Sequence, residues 1–379
     1  MFSRLKGFLN RHKRKFIIGG VVIGGFVFIT RYTQRKLWEL HANQVREVIE
    51  RLRRKQHFES TERTCNQTIL SLAISLRDSV SDALNTEEVL NQLRNGCNVK
   101  VVAWNNLKVL AFSRSAVHIY VNAMLVATLR IQLNLLGGYL FKDSQNLQGA
   151  IKINEMIQQR YLCLCIYFME EGVQKLSSFI KEKVEEVVAS KSLAEKLSVR
   201  DLEQIYWAIV SSVSADSSRE PVKNLTSYML PPNCERESEG IMLKLINETL
   251  DLLESEEVQN LIRNSVRSGF VLAIDHISEY FTETIAMPNG SASVPAPSNQ
   301  TNEPCTESVD NSMDVARYTY EFVNLHNITM PLAKIIPIIH GQVQNIQTKG
   351  DIPSDWMERL ILNDKLKILG ANVYEAFSF

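Results

Sequence analysis

Residues 11–36, RHKRKFIIGGVVIGGFVFITRYTQRK, decide how the chain is organised. A basic cluster leads into residues 16–30, a run of fifteen residues without one ionisable side chain. As a helix this run is about 22 Å long, whereas the hydrocarbon core of a bilayer is about 30 Å thick. The charged heads of Lys15 and Arg31 can extend outward and recover most of the difference. The pattern therefore predicts a short membrane helix.

A cleaved signal peptide also begins with basic residues and an apolar run of this length. The sequence after the run, Arg31-Tyr32-Thr33-Gln34, offers no small-x-small cleavage site and begins with a charge. We therefore favour an uncleaved anchor at residues 16–33, after a basic segment at residues 1–15, and keep a removed signal as the alternative. The residues predicted to contact lipid are Phe16, Ile17, Ile18, Gly20, Gly24, Phe26, Phe28 and Ile29.

Gly20 and Gly24 form a Gly-x-x-x-Gly pair, which allows a second helix to approach closely. Glycine is also common in membrane helices in general, and this plainer explanation is preferred. Lys and Arg number six in residues 1–15 and eight in residues 31–55, so charge does not set the orientation of the anchor.

Composition and motifs argue against several classes of function. Lys plus Arg and Asp plus Glu both number 42, and the basic excess is confined to the first 55 residues, so no nucleic-acid surface is indicated. No phosphate-binding, dinucleotide-binding, zinc-protease or serine-hydrolase motif occurs. We expect no enzyme activity, no cofactor, no metal site and no small-molecule substrate. Free thiols are predicted at Cys65, Cys97, Cys163, Cys165, Cys234 and Cys305.

Beyond the anchor, apolar residues recur at spacings of three and four, which is typical of amphipathic helices. The predicted helices span about 34–57, 61–84, 85–95, 104–136, 151–197, 198–213, 240–253, 258–285, 331–347 and 353–377. We expect an all-α fold, an elongated multi-helix bundle on a single N-terminal transmembrane anchor. The Pro-, Ser- and Asn-rich residues 287–313 are predicted to form a disordered loop within the domain 34–379.

The apolar stretch 104–136 is long enough to suggest a second membrane span. It contains His118, Asn122 and Arg130, and an arginine at the centre of a bilayer costs at least about 2.5 kcal/mol. A helix buried inside a bundle accommodates the same pattern at lower cost. The stretch is therefore interpreted as core.

Four short stretches are distinctive when they are taken together. They are His57–Ser60 with Arg63–Asn66, Gln132–Asn134 with Gly137–Tyr139, Pro331–Pro337, and Ala371–Phe377. Together they resemble the peroxin-3 family, and because they run in order from the N-terminal third of the chain to its last ten residues, the resemblance covers essentially the whole chain. The central region, about 143–232, resembles the family least, and no functional residue is transferred there.

The resemblance implies a docking receptor of the peroxisomal membrane, with the N-terminus toward the matrix and the helical domain in the cytosol. Its expected partner is peroxin-19, a soluble chaperone for newly made membrane proteins, whose N-terminal amphipathic helix lies in an apolar groove. The groove residues map onto Leu93, Lys100 and Trp104, with Lys334 as a charged neighbour. Without the resemblance, Trp104 would be interpreted as a core residue. The alternative function is a single-anchored tether or import component of the mitochondrial outer membrane.

Overall fold

The structure is a computed structural model that describes residues 45–95, 100–145, 153–235, 238, 240–286, 328–343 and 352–379. The predicted basic segment 1–15, the anchor 16–33 and the loop 287–313 lie outside these residues. The chain divides into two compact units, residues 1–60 and 61–379. In the first unit residues 45–60 are helical, and the second unit contains the hydrophobic core.

Almost all of the described chain is helical, which confirms the predicted all-α class. Its helices in chain order are α1 (residues 45–83), α2 (Glu87–Arg94), α3 (Lys100–Gln145), α4 (Glu155–Leu162), α5 (Leu164–Tyr167), a π-helical turn (Phe168–Gly172), α6 (Val173–Val188), α7 (Val199–Ala215), α8 (Leu225–Met229), α9 (Gly240–Glu254), α10 (Glu256–Ala286), α11 (Leu332–Gly341), α12 (Ile352–Leu362) and α13 (Asp364–Ser378). Two antiparallel strands of two residues each, β1 (Lys196–Leu197) and β2 (Met330–Pro331), are an exception that the sequence did not predict.

Helix α3 forms the centre of the second unit, because α2, α6, α9, α10, α11, α12 and α13 all pack against it. Of the helices in the described residues, α3 alone is long and apolar enough to cross a membrane. In its most apolar window, however, 94% of the residues are buried inside the protein. The interpretation of this stretch as core is confirmed.

The prediction that this helix ends near residue 136 is wrong, because α3 continues through Gly137 and Gly138 to Gln145. At Gly138 an added Cβ atom would lie 3.0 Å from the carbonyl oxygen of Tyr374 and 3.0 Å from Cβ of Phe377. The missing side chain therefore lets α13 approach α3 closely. Here glycine serves packing between helices and does not end one.

Two other predicted helices are divided. The pattern at 151–197 is interrupted by the π-helical turn and ends at Val188, after which the chain leads into β1. The pattern at 353–377 breaks at Asn363, whose side chain accepts hydrogen bonds from the backbone N–H groups that begin α13. The Ser-x-x-Asp pattern at residues 198–201 predicts a cap for α7, and this is confirmed, since Ser198 and Asp201 form a reciprocal capping box.

Candidate functional site

The four residues predicted for the groove lie on α2, on the first turns of α3 and on α11. Leu93 is half-buried in the last turn of α2 and packs against the hydrophobic core. Lys100 is exposed at the start of α3, and Trp104, one turn further, is half-buried and packs against the same core. Lys334 is exposed in the first turn of α11.

A buried arginine sets the position of α2 against α3. Arg114, which is 3% exposed, donates from Nη1 to the hydroxyl oxygen of Thr86 at 2.9 Å and from Nη2 to that of Ser81 at 3.2 Å. Thr86 directly precedes α2, so this helix begins beside the fourth turn of α3. Because α2 packs on α3 and the chain must then return to Lys100, the two helices run in opposite directions. Their eight-residue overlap, about 12 Å, brings the end of α2 level with the first turns of α3.

The same hydroxyl group holds the far end of α11. His340 Nε2 lies 3.1 Å from Oγ1 of Thr86, within hydrogen-bond distance. The start of α11 is held by its backbone, since the N–H groups of Leu332 and Ala333 donate to the carbonyl oxygens of Glu195 and Leu193 at 2.9 and 3.0 Å.

A buried lysine connects α3 to the segment that binds the start of α11. Lys108, 2% exposed, donates from Nζ to the carbonyl oxygen of Lys191 at 2.8 Å. The segment 191–195, which binds the start of α11, therefore also contacts α3 at Lys108, one helical turn after Trp104. It follows that α11 runs alongside α3, with Lys334 near the same end of the bundle as Trp104.

Burial and neighbouring charge decide which groups at this end are cationic. Burial, reinforced by the nearby Arg114 guanidinium, lowers the pKa of His340, and the carboxylate of Glu87 opposes that shift in part. Burial also lowers the pKa of Lys108, with Glu195 opposing. The imidazole is therefore neutral at physiological pH, and the accessible positive charge comes from exposed side chains, which include Lys100, Lys334 and Arg94.

The structure adds two residues that the sequence reasoning did not assign to the site. Val101 and Val102 are 65% and 53% exposed, and the buried Ala103 separates them from the half-buried Trp104. The signal available in the sequence was an apolar pair at the start of a helix. Leu93, Val101, Val102 and Trp104 lie at the end of the bundle where α2 meets α3, and we call them the α2–α3 surface.

Comparison with known proteins decides the family. A family model described as Peroxin-3 matches residues 7–101 and 138–376. The chain belongs to the peroxin-3 family. It is 33% identical to peroxisomal biogenesis factor 3 of Homo sapiens over 397 residues, which cover 100% of this chain and 98% of that protein. It is 32% identical to the protein of the same name in Rattus norvegicus over 395 residues, with the same coverage.

A plant relative is more distant. Peroxisome biogenesis protein 3-2 of Arabidopsis thaliana is 24% identical over 294 residues, which cover 69% of this chain and 80% of that protein. Membership of the peroxin-3 family assigns the chain a role in peroxisome biogenesis and implies the peroxisomal membrane as its location. The family is one of biogenesis factors and is not a known enzyme family. The predicted resemblance is confirmed, and the family match also runs through the central region 143–232.

The titratable groups of this peroxin-3 family member form no metal site in the part of the chain that the structure describes. No cluster of three or more His, Cys, Asp or Glu side chains is placed to hold a metal ion there. Four described cysteines are free thiols: Cys65, Cys163, Cys165 and Cys234. Burial raises the pKa of Cys65 to about 12, which keeps that thiol protonated and unreactive. The predicted thiols Cys97 and Cys305 lie outside the described residues.

Proposed function

We propose that the chain is a docking receptor of the peroxisomal membrane that binds peroxin-19 and so supports the insertion of peroxisomal membrane proteins. The observation that carries the proposal is the α2–α3 surface. It exposes two valines beside a half-buried tryptophan, and two exposed lysines, Lys100 and Lys334, lie near the same end of the bundle.

This arrangement suits an amphipathic helix as ligand. Aromatic and aliphatic side chains at the centre of an interface supply most of its binding energy, and charges at its rim steer approach. An incoming helix would place its apolar face on Leu93 and Trp104 and direct acidic side chains toward the lysines. A fully buried tryptophan would argue for a core role, whereas the half-exposed position of Trp104 supports a contact residue.

Membrane attachment completes the proposal. Residues 16–33 anchor the chain, the N-terminus faces the peroxisome matrix, and residues 34–379 lie in the cytosol. The uncharged run at residues 16–30 supports the anchor, and its two basic flanks leave the orientation to be measured. A tether or import component of the mitochondrial outer membrane is the alternative, and the position of a tagged chain relative to peroxisomal and mitochondrial markers separates the two.

Replacing Trp104 tests the binding surface. Trp104→Ala should weaken binding of the peroxin-19 N-terminal helix by about thirtyfold or more, because truncating a hot-spot aromatic costs about 2 kcal/mol or more. Titration calorimetry and circular dichroism on the same preparation separate lost binding from lost folding. Lys100→Glu should also weaken binding and reduce its dependence on salt, since a rim charge mainly steers approach.

Trp207 offers a matched control, because it is also a half-buried tryptophan but lies on α7. Trp207→Ala should leave the affinity for the chaperone helix unchanged. Unchanged affinity in a fully folded Trp104→Ala variant would remove Trp104 from the site. Lost helicity in parallel with lost binding would show that Trp104 is a core residue.

A further inference from the structure

A second apolar surface lies between α1 and α12, with α3 as its floor. It encloses a cavity of about 520 Å³, a volume within the range of ligand-binding sites. We call it the α1–α12 groove. Its floor includes His118, fourteen residues along α3 from Trp104 and thus about 21 Å away, so it is separate from the α2–α3 surface. Its aliphatic walls are Leu70, Ala73, Ile74, Met357, Ile361 and Leu362.

The walls are apolar well beyond the cavity itself. Leu70 and Ile74 lie one turn apart on the same face of α1 and are 53% and 57% exposed. On the opposite wall Leu362 is 58% exposed. A small molecule inside the cavity would leave these outer aliphatic surfaces in water. An elongated occupant with its own apolar stripe, such as a helix, would cover both walls at once.

The charge at the rim of the groove is negative. Asp78 on α1 and Glu358 on α12 line opposite walls, and both are exposed. Arg77 also lines the groove, but it is only 7% exposed and donates from Nη2 to the hydroxyl oxygen of Ser354 at 3.1 Å. Its guanidinium group is thus held in the wall and ties α1 to α12. An incoming side chain therefore meets carboxylates at the edge of an aliphatic trough.

We propose that the α1–α12 groove binds an amphipathic helical segment of a partner protein, with aliphatic or aromatic side chains on one face and lysine or arginine at its edges. The apolar walls supply binding energy, and the two carboxylates select the basic edges. The α2–α3 surface has lysines at the corresponding places, so the two surfaces select segments of opposite charge. The groove thus gives the receptor a second partner site beyond the proposed chaperone site.

Selection from a displayed library of short helical peptides tests the groove, with the full chain held in lipid nanodiscs. Only peptides that bind wild type and Trp104→Ala equally are kept, which removes ligands of the α2–α3 surface. The kept peptides should carry an apolar stripe with lysine or arginine beside it. Their affinity should fall by about tenfold or more in Ile74→Lys, since a new ammonium group would lie between two aliphatic walls.

Ile368→Lys is the matched control, because Ile368 on α13 is also 57% exposed and does not line the groove. This variant should bind the kept peptides as wild type does. In the double variant Asp78→Lys with Glu358→Lys, the preference should shift to peptides with acidic edges. Circular dichroism confirms that each variant is folded before its affinity is compared.

Several results would overturn the proposal. The library could yield no peptide whose binding depends on Ile74, or only peptides with acidic edges. A fluorescent lysophosphatidylcholine that binds in an Ile74-dependent way where no peptide does would identify a lipid as the occupant. A change in oligomeric state in Ile74→Lys alone would identify a second copy of the chain. None of these results changes the expected effect of Trp104→Ala on chaperone binding, so the two proposals fail separately.

Discussion

Arg130 lies in the middle of α3, and its side chain has no exposed surface. It forms an ion pair with Glu62 and donates to the side-chain oxygen of Asn66 at 3.1 Å and to the carbonyl oxygen of Ile361 at 2.9 Å. One guanidinium group thus joins α3 to α1 and α12, the two helices that form the walls of the groove. Its buried charge is tolerated because several acceptors surround it.

Removing this arginine should strongly destabilise the fold. Arg130→Ala leaves the largely buried carboxylate of Glu62 without its cation, and breaking a buried ion pair on one side costs about 3–5 kcal/mol. The free energy of unfolding of the full chain, measured in urea, gives the loss. The control is Arg51→Ala, since Arg51 pairs with Glu47 at 2.6 Å while both side chains are more than half exposed. That change should cost about 1 kcal/mol or less. Equal losses of stability in the two variants would contradict a stabilising role for the buried ion pair of Arg130.

His340 gives the fold a dependence on pH. Its pKa is lowered in the folded protein, chiefly by burial and further by the Arg114 guanidinium, so the unfolded chain binds the proton more readily. Its contribution to stability is complete above the unfolded pKa of about 6.5 and is lost as the pH falls through the lower folded pKa. The free energy of unfolding should therefore decrease on acidification from about pH 7 to about pH 5.

His340→Gln isolates this effect, because glutamine keeps a polar group near Thr86 and does not titrate in this range. The variant should show a shallower loss of stability between about pH 7 and about pH 5 than the wild type. Other groups, including His57, whose pKa is also lowered by burial, titrate equally in both proteins and cancel in the difference. Parallel pH profiles would show that His340 is not responsible.

At the scale of elements, the sequence was enough to predict the start of a helix where the capping side chains lie next to it in the chain. Ser198 and Asp201 are three residues apart, and their capping box was visible in the sequence. The predicted end of α3 at about residue 136 was wrong because the role of Gly138 depends on α13, more than 200 residues later in the chain. For the candidate site, the resemblance indicated Leu93 and Trp104. The contacts of Arg114 and His340 with Thr86 join residues 28 and 254 positions apart, and no local pattern marks them.

Gly172, at the end of the π-helical turn, is a second glycine whose role depends on a contact with residues distant in the sequence. In a helix alanine is favoured over glycine by about 1 kcal/mol, so propensity alone predicts that Gly172→Ala stabilises the protein. In the structure the added Cβ atom would overlap the carbonyl oxygen of Tyr228, a backbone atom near the end of α8. We expect a net loss of about 1–3 kcal/mol in the free energy of unfolding. Glu170→Ala in the same turn, where the side chain is exposed, should change it by no more than about 0.5 kcal/mol.

At the scale of the molecule, the centrality of α3 links the two surfaces. Trp104 at its start belongs to the α2–α3 surface, whereas His118 and Asn122 form part of the floor of the α1–α12 groove. This one helix therefore fixes the spacing between a surface flanked by lysines and a groove flanked by carboxylates. Such a spacing would let the proposed receptor hold two different helical segments at once.

The orientation of the whole chain makes the final prediction. Six N-x-Ser/Thr sequons follow the predicted anchor, at Asn66, Asn224, Asn247, Asn289, Asn299 and Asn327. A chain whose residues 34–379 stay in the cytosol never meets the glycosylation machinery of the endoplasmic reticulum, so endoglycosidase should leave its gel mobility unchanged. A matched control replaces residues 1–33 by a cleavable secretory signal. That chain should acquire glycans and shift on digestion, which shows that the sequons are usable. A shift in the native protein would place its bulk in the lumen and contradict the proposed cytosolic orientation.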